Sequence, residues 1–202
     1  MSRLITNAIR STSASADAIT FDNSGTPAFP NGGAGKILQV VATNVTASSS
    51  VSLSSHSTLY DTPLTVNITS TAANSKFLVS GLISGEGTNP DHDYGFVIRR
   101  TIGGSGTSIS IGDSGAGIQI TRVSNVGYYD NNQDSTSSSS SIPPYLDSPS
   151  QAAGTVINYS FKVIEIGTND STTYYFNRCV NASSGGGYER ASSYITVMEV
   201  AA

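Results

Sequence analysis

Short runs of alternating apolar and polar residues are the feature that most constrains the fold of this chain. Residues 64–69, 77–83 and 94–99 alternate in this way, which places every second side chain on the same face of a strand. No stretch shows the 3.6-residue periodicity of an amphipathic helix. Glycine-rich breaks separate the runs, at residues 31–35, 85–93, 103–106 and 183–187. Eight to ten short strands at this spacing predict an all-β fold, an antiparallel β-sandwich that is jelly-roll-like.

The first 31 residues differ from the rest of the chain because they have no core of their own. They are small and polar apart from two short apolar runs, at residues 19–21 and 28–30, which a turn at residues 22–25 separates. Two such runs do not make a stable isolated hairpin in water, so the segment can be ordered only against its own chain, copies of itself or another protein. We therefore predict an extended N-terminal arm over residues 1–31 and a β-sandwich head domain over residues 36–202.

The charge pattern excludes several classes of partner. The net charge is −4 with only 12% charged residues, and Arg99-Arg100 is the only basic pair. Nucleic-acid binding needs clustered Lys and Arg to replace phosphate counterions, so no nucleic acid is expected as a partner. No apolar run approaches the ~20 residues of a membrane span, and the start of the chain has no apolar signal core. We expect no membrane insertion and assembly in a cytoplasm.

No combination of side chains predicts catalysis. Asp91, His92 and Asp93 form the best candidate for a metal or acid–base site, but the Gly-rich surroundings favour a solvated turn. Glu165 and Glu199 are expected at outward strand positions, too scattered for paired-carboxylate hydrolysis. A lone cysteine, Cys179, can form neither an internal disulfide nor a zinc site, and is expected to be a small buried hydrophobe. We predict no catalytic residues, no metal, no cofactor and no enzymatic activity.

Short phrases at both ends of the chain resemble known proteins. Residues 2–22 read SRLITNAIRSTSASADAITFD, and a turn, the tripeptide FPN and the segment GKILQVV at residues 35–41 follow. Near the other end stand YLDSP at residues 145–149 and SSYITVMEVAA at residues 192–202. This pattern resembles the fibre-type structural proteins of tailed bacteriophages, especially cyanophages.

The resemblance implies a virion structural protein, a fibre or fibre-like attachment protein located in the virion. It implies that residues 1–31 dock to tail, baseplate or capsid proteins, and that the protein is a homotrimer. Apolar character on both faces of residues 36–42 and 156–166 predicts that sheet faces of the head form the trimer interface. Two alternatives remain open: a capsid decoration or cement protein, and a carbohydrate-binding, lectin-like module.

A set of tyrosine and asparagine residues is the candidate receptor-contact site. Residues 128–151 are predicted to form a long loop that contains a serine run, and a loop of this length is usually functional or mobile. Tyrosine stacks on sugars and donates hydrogen bonds, and Asn suits sugar hydroxyls. The candidates for contact with a host surface glycan are Tyr128, Tyr129, Asn131, Asn132, Tyr145 and Tyr188. Alternatively, these rings pack against the loops of the head or against a neighbouring subunit.

Overall fold

The structure is a computed structural model, and it describes eleven parts of the 202-residue chain. They are residues 8–9, 19–21, 24, 27–28, 36–55, 58–88, 93–109, 124–125, 137–166, 171–182 and 189–202. The regular structure within these ranges is entirely β, which confirms the predicted all-β class. No helix in the described part of the chain has the length and hydropathy of a membrane-spanning segment.

Fourteen strands are seen in the described ranges. They are β1 Ala8–Ile9, β2 Ile19–Phe21, β3 Pro27–Ala28, β4 Ile37–Val45, β5 Ser49–Leu53, β6 Tyr60–Thr69, β7 Lys76–Gly87, β8 Asp93–Ile102, β9 Ser105–Ile109, β10 Ser124–Asn125, β11 Ser138–Asp147, β12 Val156–Ile166, β13 Thr172–Phe176 and β14 Ser193–Val200. The first three form a small antiparallel sheet in the order β1-β2-β3. The division into arm and head remains a prediction.

The other strands form two antiparallel sheets. In each sheet, some pairs of short strands lie end to end and together fill one position beside a longer strand. β14 and then β13 pair with the same edge of β7, while β4 pairs with β14 and β5 with β13. β11 occupies the opposite edge of β7. The first sheet therefore has four positions: β4/β5, β13/β14, β7 and β11. In the second sheet the positions are β6, β12, β8 and β9/β10, because β9 and β10 both pair with the edge of β8 that β12 leaves open.

The order of these eight positions defines the topology. Numbered along the chain, they run 1-8-3-6 in the first sheet and 2-7-4-5 in the second. This is the arrangement of an eight-stranded jelly roll, a sandwich built from two Greek keys. The predicted antiparallel β-sandwich is confirmed, and its connections are those of a jelly roll.

The core lies between the two sheets and is rich in aromatic rings. Among the residues that the structure describes, seven rings are fully buried: Phe77, Tyr94, Phe96, Tyr159, Phe161, Tyr174 and Phe176. The ring of Tyr174 lies 5.0 to 5.7 Å, between centroids, from three of the others, within the range of favourable aromatic pairs. β7 accommodates such rings with glycine, because a Cβ at Gly81 would stand 2.5 Å from a ring carbon of Phe161.

The prolines of the strands lie at the edges of the sheets. Pro143 and Pro144 fall at the register shift of β11, and Pro63 lies in β6. Both strands are outer members of their sheets. Proline lacks the N–H that a central strand needs, so it is confined to edge strands and bulges, where it also discourages unwanted pairing.

Two sequence-based predictions of loops are wrong in part. Residues 138–147, expected in a long loop, form β11, and the serines Ser138–Ser141 pair with β7. A serine-rich segment can form a strand when its alternate positions, here Ser140 and Ile142, are buried. The expected break at residues 85–93 begins later, because β7 continues through Gly87.

Candidate functional site

The receptor-contact candidates are only partly within the described residues. Tyr145 lies in β11, where it is half-buried, pairs with Val79 and packs against the core. Tyr128, Tyr129, Asn131, Asn132 and Tyr188 lie outside the described residues. Contact with a receptor stays a prediction for the whole set. Asp91 and His92 of the candidate metal site also lie outside the described residues, and Asp93 begins β8.

Glu199 is buried rather than outward, which corrects the prediction made for it. Its side chain is fully buried and accepts hydrogen bonds from the Thr71 amide at 2.8 Å, the Thr71 hydroxyl at 2.9 Å and Nε2 of Gln39 at 2.6 Å. Burial alone would raise the pKa of this carboxyl, but hydrogen bonds from Gln39, Ser75 and Thr71 hold the pKa at about 2. The carboxylate is thus an anchor that ties the β6–β7 turn and β4 to β14.

Glu165 is also buried, contrary to the outward position predicted for it. It pairs with Tyr94 and lies on the same side of β12 as the core residue Val163. The outward prediction for Glu165 went against the alternation of β12, since the apolar side chains at positions 157, 159, 161 and 163 point inward and Glu165 continues that series.

Asp147 and Glu86 have structural partners as well. Asp147 accepts two hydrogen bonds from Arg100, at 2.6 and 2.8 Å, and one from the Tyr159 hydroxyl at 2.7 Å. Burial first, and then the Asp147 carboxylate, raise the pKa of Tyr159. The Glu86 carboxylate accepts a hydrogen bond from the Val180 amide at 2.6 Å. These carboxylates join elements of the sandwich.

Cys179 is fully buried, as predicted. Burial, and next the charge of Glu86, raise the pKa of its thiol, and a protonated thiol is a poor nucleophile. Within the ranges that the structure describes, no three His, Cys, Asp or Glu side chains come together so as to hold a metal ion.

The outer face of the first sheet carries an exposed apolar surface. Val40, Met198, Leu78 and Leu146 stand side by side on four adjacent positions, and Val40 is 54% exposed and Leu146 48%. Exposed Ile37 and Tyr194 extend this apolar face along the strands. Residues 36–42 were predicted to be covered on both sides. The described residues cover only the inner side.

A small pocket lies on the same outer face, farther along the strands. Ser48, Ser49, Ser50, Tyr175 and Arg178 line a cavity of about 230 Å³. Cross-strand pairing places Tyr175 opposite Ser50. The Arg178 guanidinium carbon lies 4.3 Å from the centroid of the Tyr175 ring, within the range of a cation–π interaction. Residue 37 and this pocket lie toward opposite ends of the β4/β5 position, level with Lys76 and Glu86 of β7, which is roughly 33 Å apart at ~3.3 Å per residue.

The chain geometry at Asn177 positions Arg178. Asn177 has a left-handed backbone, with φ of 60°, and it ends β13. Its side-chain amide donates to the carbonyls of Val45 and Ala47, each at 2.9 Å, between β4 and β5. The turn at Asn177 therefore holds residues 48–50 and Arg178 close to each other.

This pocket was not predicted from the sequence. Alternation over residues 174–176 places Tyr175 outward, but the register that brings Ser50 beside it is a long-range property. The signal that could have indicated the site is Asn177, because Asn is enriched at left-handed positions and marks the end of a strand before a lone arginine.

Comparisons with known proteins add little to this geometry. No family model matches the chain, and no curated protein matches it. The structure of infectious bursal disease virus, Gx strain, is similar with a TM-score of 0.33 and 13% identity, over 81% of this chain and 40% of that chain. For the Gt strain of the same virus the TM-score is 0.30 and the identity 12%, over 89% and 39% of the two chains. The chain thus spans about two fifths of the chains it matches, and a likeness this low carries no argument about function.

Proposed function

We propose that this chain is a virion structural protein, a fibre-like attachment protein of a tailed bacteriophage. In this proposal residues 1–31 dock to another virion protein, copies of the head associate with one another, and the far end of the head faces the host surface. The protein performs no catalysis in this role.

Two features support the viral assignment. The phrases at residues 2–22 and 192–202 resemble fibre-type proteins of tailed phages. The jelly-roll topology is one that viral capsid and lectin domains use. Since a fold alone does not determine function, the proposal depends mainly on the surfaces of the molecule.

The apolar outer face around Val40, Met198, Leu78 and Leu146 carries the proposal. Four positions at about 4.8 Å spacing, over about eight residues of ~3.4 Å, give an area of roughly 500 Å². Contact between this face and a neighbouring copy buries about 500 Å² on each partner, about 1,000 Å² in all, the lower limit for a biological interface. The apolar side chains share this face with the polar Thr196 and Ser80. Exposed apolar patches of a few hundred Å² are often protein contacts, and a second copy of the chain is the occupant we propose. The number three comes from the resemblance to phage fibres.

The two ends of the head favour an orientation. Lys36 begins the described head, and its carbonyl accepts a hydrogen bond from the amide of Ala201 at 2.8 Å. Residue 36 and the C-terminal end of β14 therefore lie at one end of the head. The polar pocket of Ser50, Tyr175 and Arg178 lies toward the other. An arm at one end and a polar binding surface at the other suit an attachment protein.

Sedimentation equilibrium of the full chain at micromolar concentration tests self-association. We expect about three times the monomer mass of 20.8 kDa, and a monomer at that concentration would contradict the proposed interface. The site of attachment is tested separately, by electron microscopy of virions labelled with an antibody to the head. Label on the tail or baseplate supports a fibre, whereas label over the shell indicates the alternative, a capsid decoration protein.

A further inference from the structure

We propose that the pocket formed by Ser48, Ser49, Ser50, Tyr175 and Arg178 binds an acidic sugar residue, whose carboxylate meets Arg178. This inference goes beyond the proposed function, because the pocket belongs to one folded chain and does not require assembly into a virion. To bind a carboxylate, the pocket needs a cation in a fixed position, and the Arg178 guanidinium is held in one.

Arg178 is held in place yet keeps donors available. Its Nε donates to the Cys179 carbonyl at 3.0 Å, and its Nη2 donates to the Val180 carbonyl at 2.5 Å. A guanidinium has five N–H donors in a planar fork, so three remain after these two bonds. Among the described residues, no carboxylate is bonded to Arg178. A positioned guanidinium with spare donors is suited to a carboxylate.

The neighbouring side chains favour a sugar rather than a bare anion. Tyr175 is half-buried and the Arg178 guanidinium lies over one face of its ring, so that face is not available to a sugar. The Tyr175 hydroxyl, however, can both donate and accept a hydrogen bond. The three serines are exposed, and each hydroxyl is both a donor and an acceptor, as a sugar hydroxyl requires. A fully ionised inorganic anion only accepts hydrogen bonds, so it would use these hydroxyls as donors and leave their acceptor capacity unused.

The size of the cavity limits the ligand to one residue. At about 230 Å³ it is smaller than the ~300–1,000 Å³ of pockets that enclose drug-sized molecules. It is also open to solvent on the outer face of the sheet. These properties suit a single acidic unit within a longer chain, bound weakly by each copy and more strongly by several copies together.

Titration of the full chain with trigalacturonate tests the proposal, with maltotriose as the neutral control and sodium acetate as the bare carboxylate. We expect trigalacturonate to bind at least about tenfold more tightly than either control, and the affinity to fall with added salt. Equal binding of acetate and trigalacturonate, or no binding of trigalacturonate, would overturn the proposal.

Substitutions locate the binding to this pocket. Arg178→Met keeps the apolar stem and removes the charge, so trigalacturonate affinity should fall about tenfold or more, while Arg178→Lys should retain part of it. Arg99→Met is the matched control, because Arg99 also donates to a backbone carbonyl, that of Gly106 at 3.2 Å, but on the other sheet. Thermal unfolding of each variant checks the fold. Unchanged affinity in Arg178→Met, or an equal loss in Arg99→Met, would show that the pocket is not the site. Incorporation into virions is not needed for any of these measurements.

Discussion

The Ser193 hydroxyl donates a 2.6 Å hydrogen bond to the side-chain carbonyl of Asn177, and both residues are buried. The Ser84 amide donates to the same hydroxyl at 2.9 Å. Through these bonds one asparagine joins the end of β13, the start of β14 and the interior of β7. The Asn177 side-chain amide also donates to the carbonyls of Val45 and Ala47. This side chain therefore connects the break between β13 and β14 to the break between β4 and β5, in the neighbouring position of the sheet.

Replacing Asn177 with alanine should lower the free energy of unfolding by about 2–4 kcal/mol. The change removes the three hydrogen bonds of the Asn177 side chain and leaves their buried partners unpaired. It also places alanine, which is less tolerant of the left-handed region than asparagine, at φ of 60°. Urea unfolding measures the effect. Asn158→Ala is the control, because Asn158 also bonds through its amide, to Thr65 and Asn67, but at an exposed site. A loss below about 1 kcal/mol in Asn177→Ala would contradict the role given to this network.

Glu199 should make stability depend on pH in the acid range. Its folded pKa of about 2 lies below the ordinary value of 4.5, so its contribution is complete above pH 4.5 and is lost as the pH falls toward 2. A difference of this size corresponds to about 3 kcal/mol. Urea unfolding at several pH values from 7 to 2 should therefore show a shallower acid loss in Glu199→Gln than in the wild type. Parallel slopes for the wild type and Glu199→Gln would refute the prediction.

Much of the fold follows from the sequence, for physical reasons. Alternation with period two predicts both strand and inner face, as the buried series Leu64, Val66 and Ile68 shows. Alternation failed at β11, where serines occupy all of residues 138–141, the buried Ser140 included, because the missing hydrophobicity hid the strand. Glu165 and Glu199 were predicted outward because carboxylates usually are, whereas local hydrogen-bond donors at residues 70–72 make the burial of Glu199 possible.

The candidate site could not be predicted in the same way. The pocket depends on the register that sets Ser50 opposite Tyr175 and on two carbonyls that orient Arg178. The register depends on contacts between residues more than a hundred positions apart in the sequence. The orientation of Arg178 depends on a local turn. Periodicity specifies which side chains share a face, but not which strands are neighbours.

Gly81→Ala should destabilise the protein by about 1–3 kcal/mol. The new Cβ would stand 2.5 Å from a ring carbon of Phe161 and closer still to the Tyr194 carbonyl, so the two sheets would have to separate or the ring move. Thermal or urea unfolding measures the change. Ser80→Ala, one residue earlier and half-buried on the outer face, should stay within about 0.5 kcal/mol of the wild type. Equal stabilities for the two variants would mean that the ring of Phe161 adapts freely.

The double change Tyr128→Ala and Tyr129→Ala should weaken adsorption to host cells and leave thermal stability nearly intact. These residues lie outside the described part of the chain, and the expectation comes from their composition as aromatic anchors beside Asn131 and Asn132. Adsorption is measured with virions that carry the variant, and stability with the purified chain. If the variant misfolds or loses its oligomeric state, the rings belong to the core or to an interface.

Lysine at Val40 and Leu146 should convert the oligomer that we propose into a monomer. Both side chains are about half exposed in the single chain, at 54% and 48%, so lysine there should change the stability of the isolated head by no more than about 0.5 kcal/mol. In an interface, however, the same charges would be buried without partners, which opposes association. Sedimentation equilibrium should give 20.8 kDa for the double variant and a multiple of it for the wild type. The control carries lysines at Thr65 and Asn67, two exposed positions on the outer face of the other sheet, and should keep the wild-type mass. If the Val40 and Leu146 variant also keeps that mass, the apolar face is not where the copies meet.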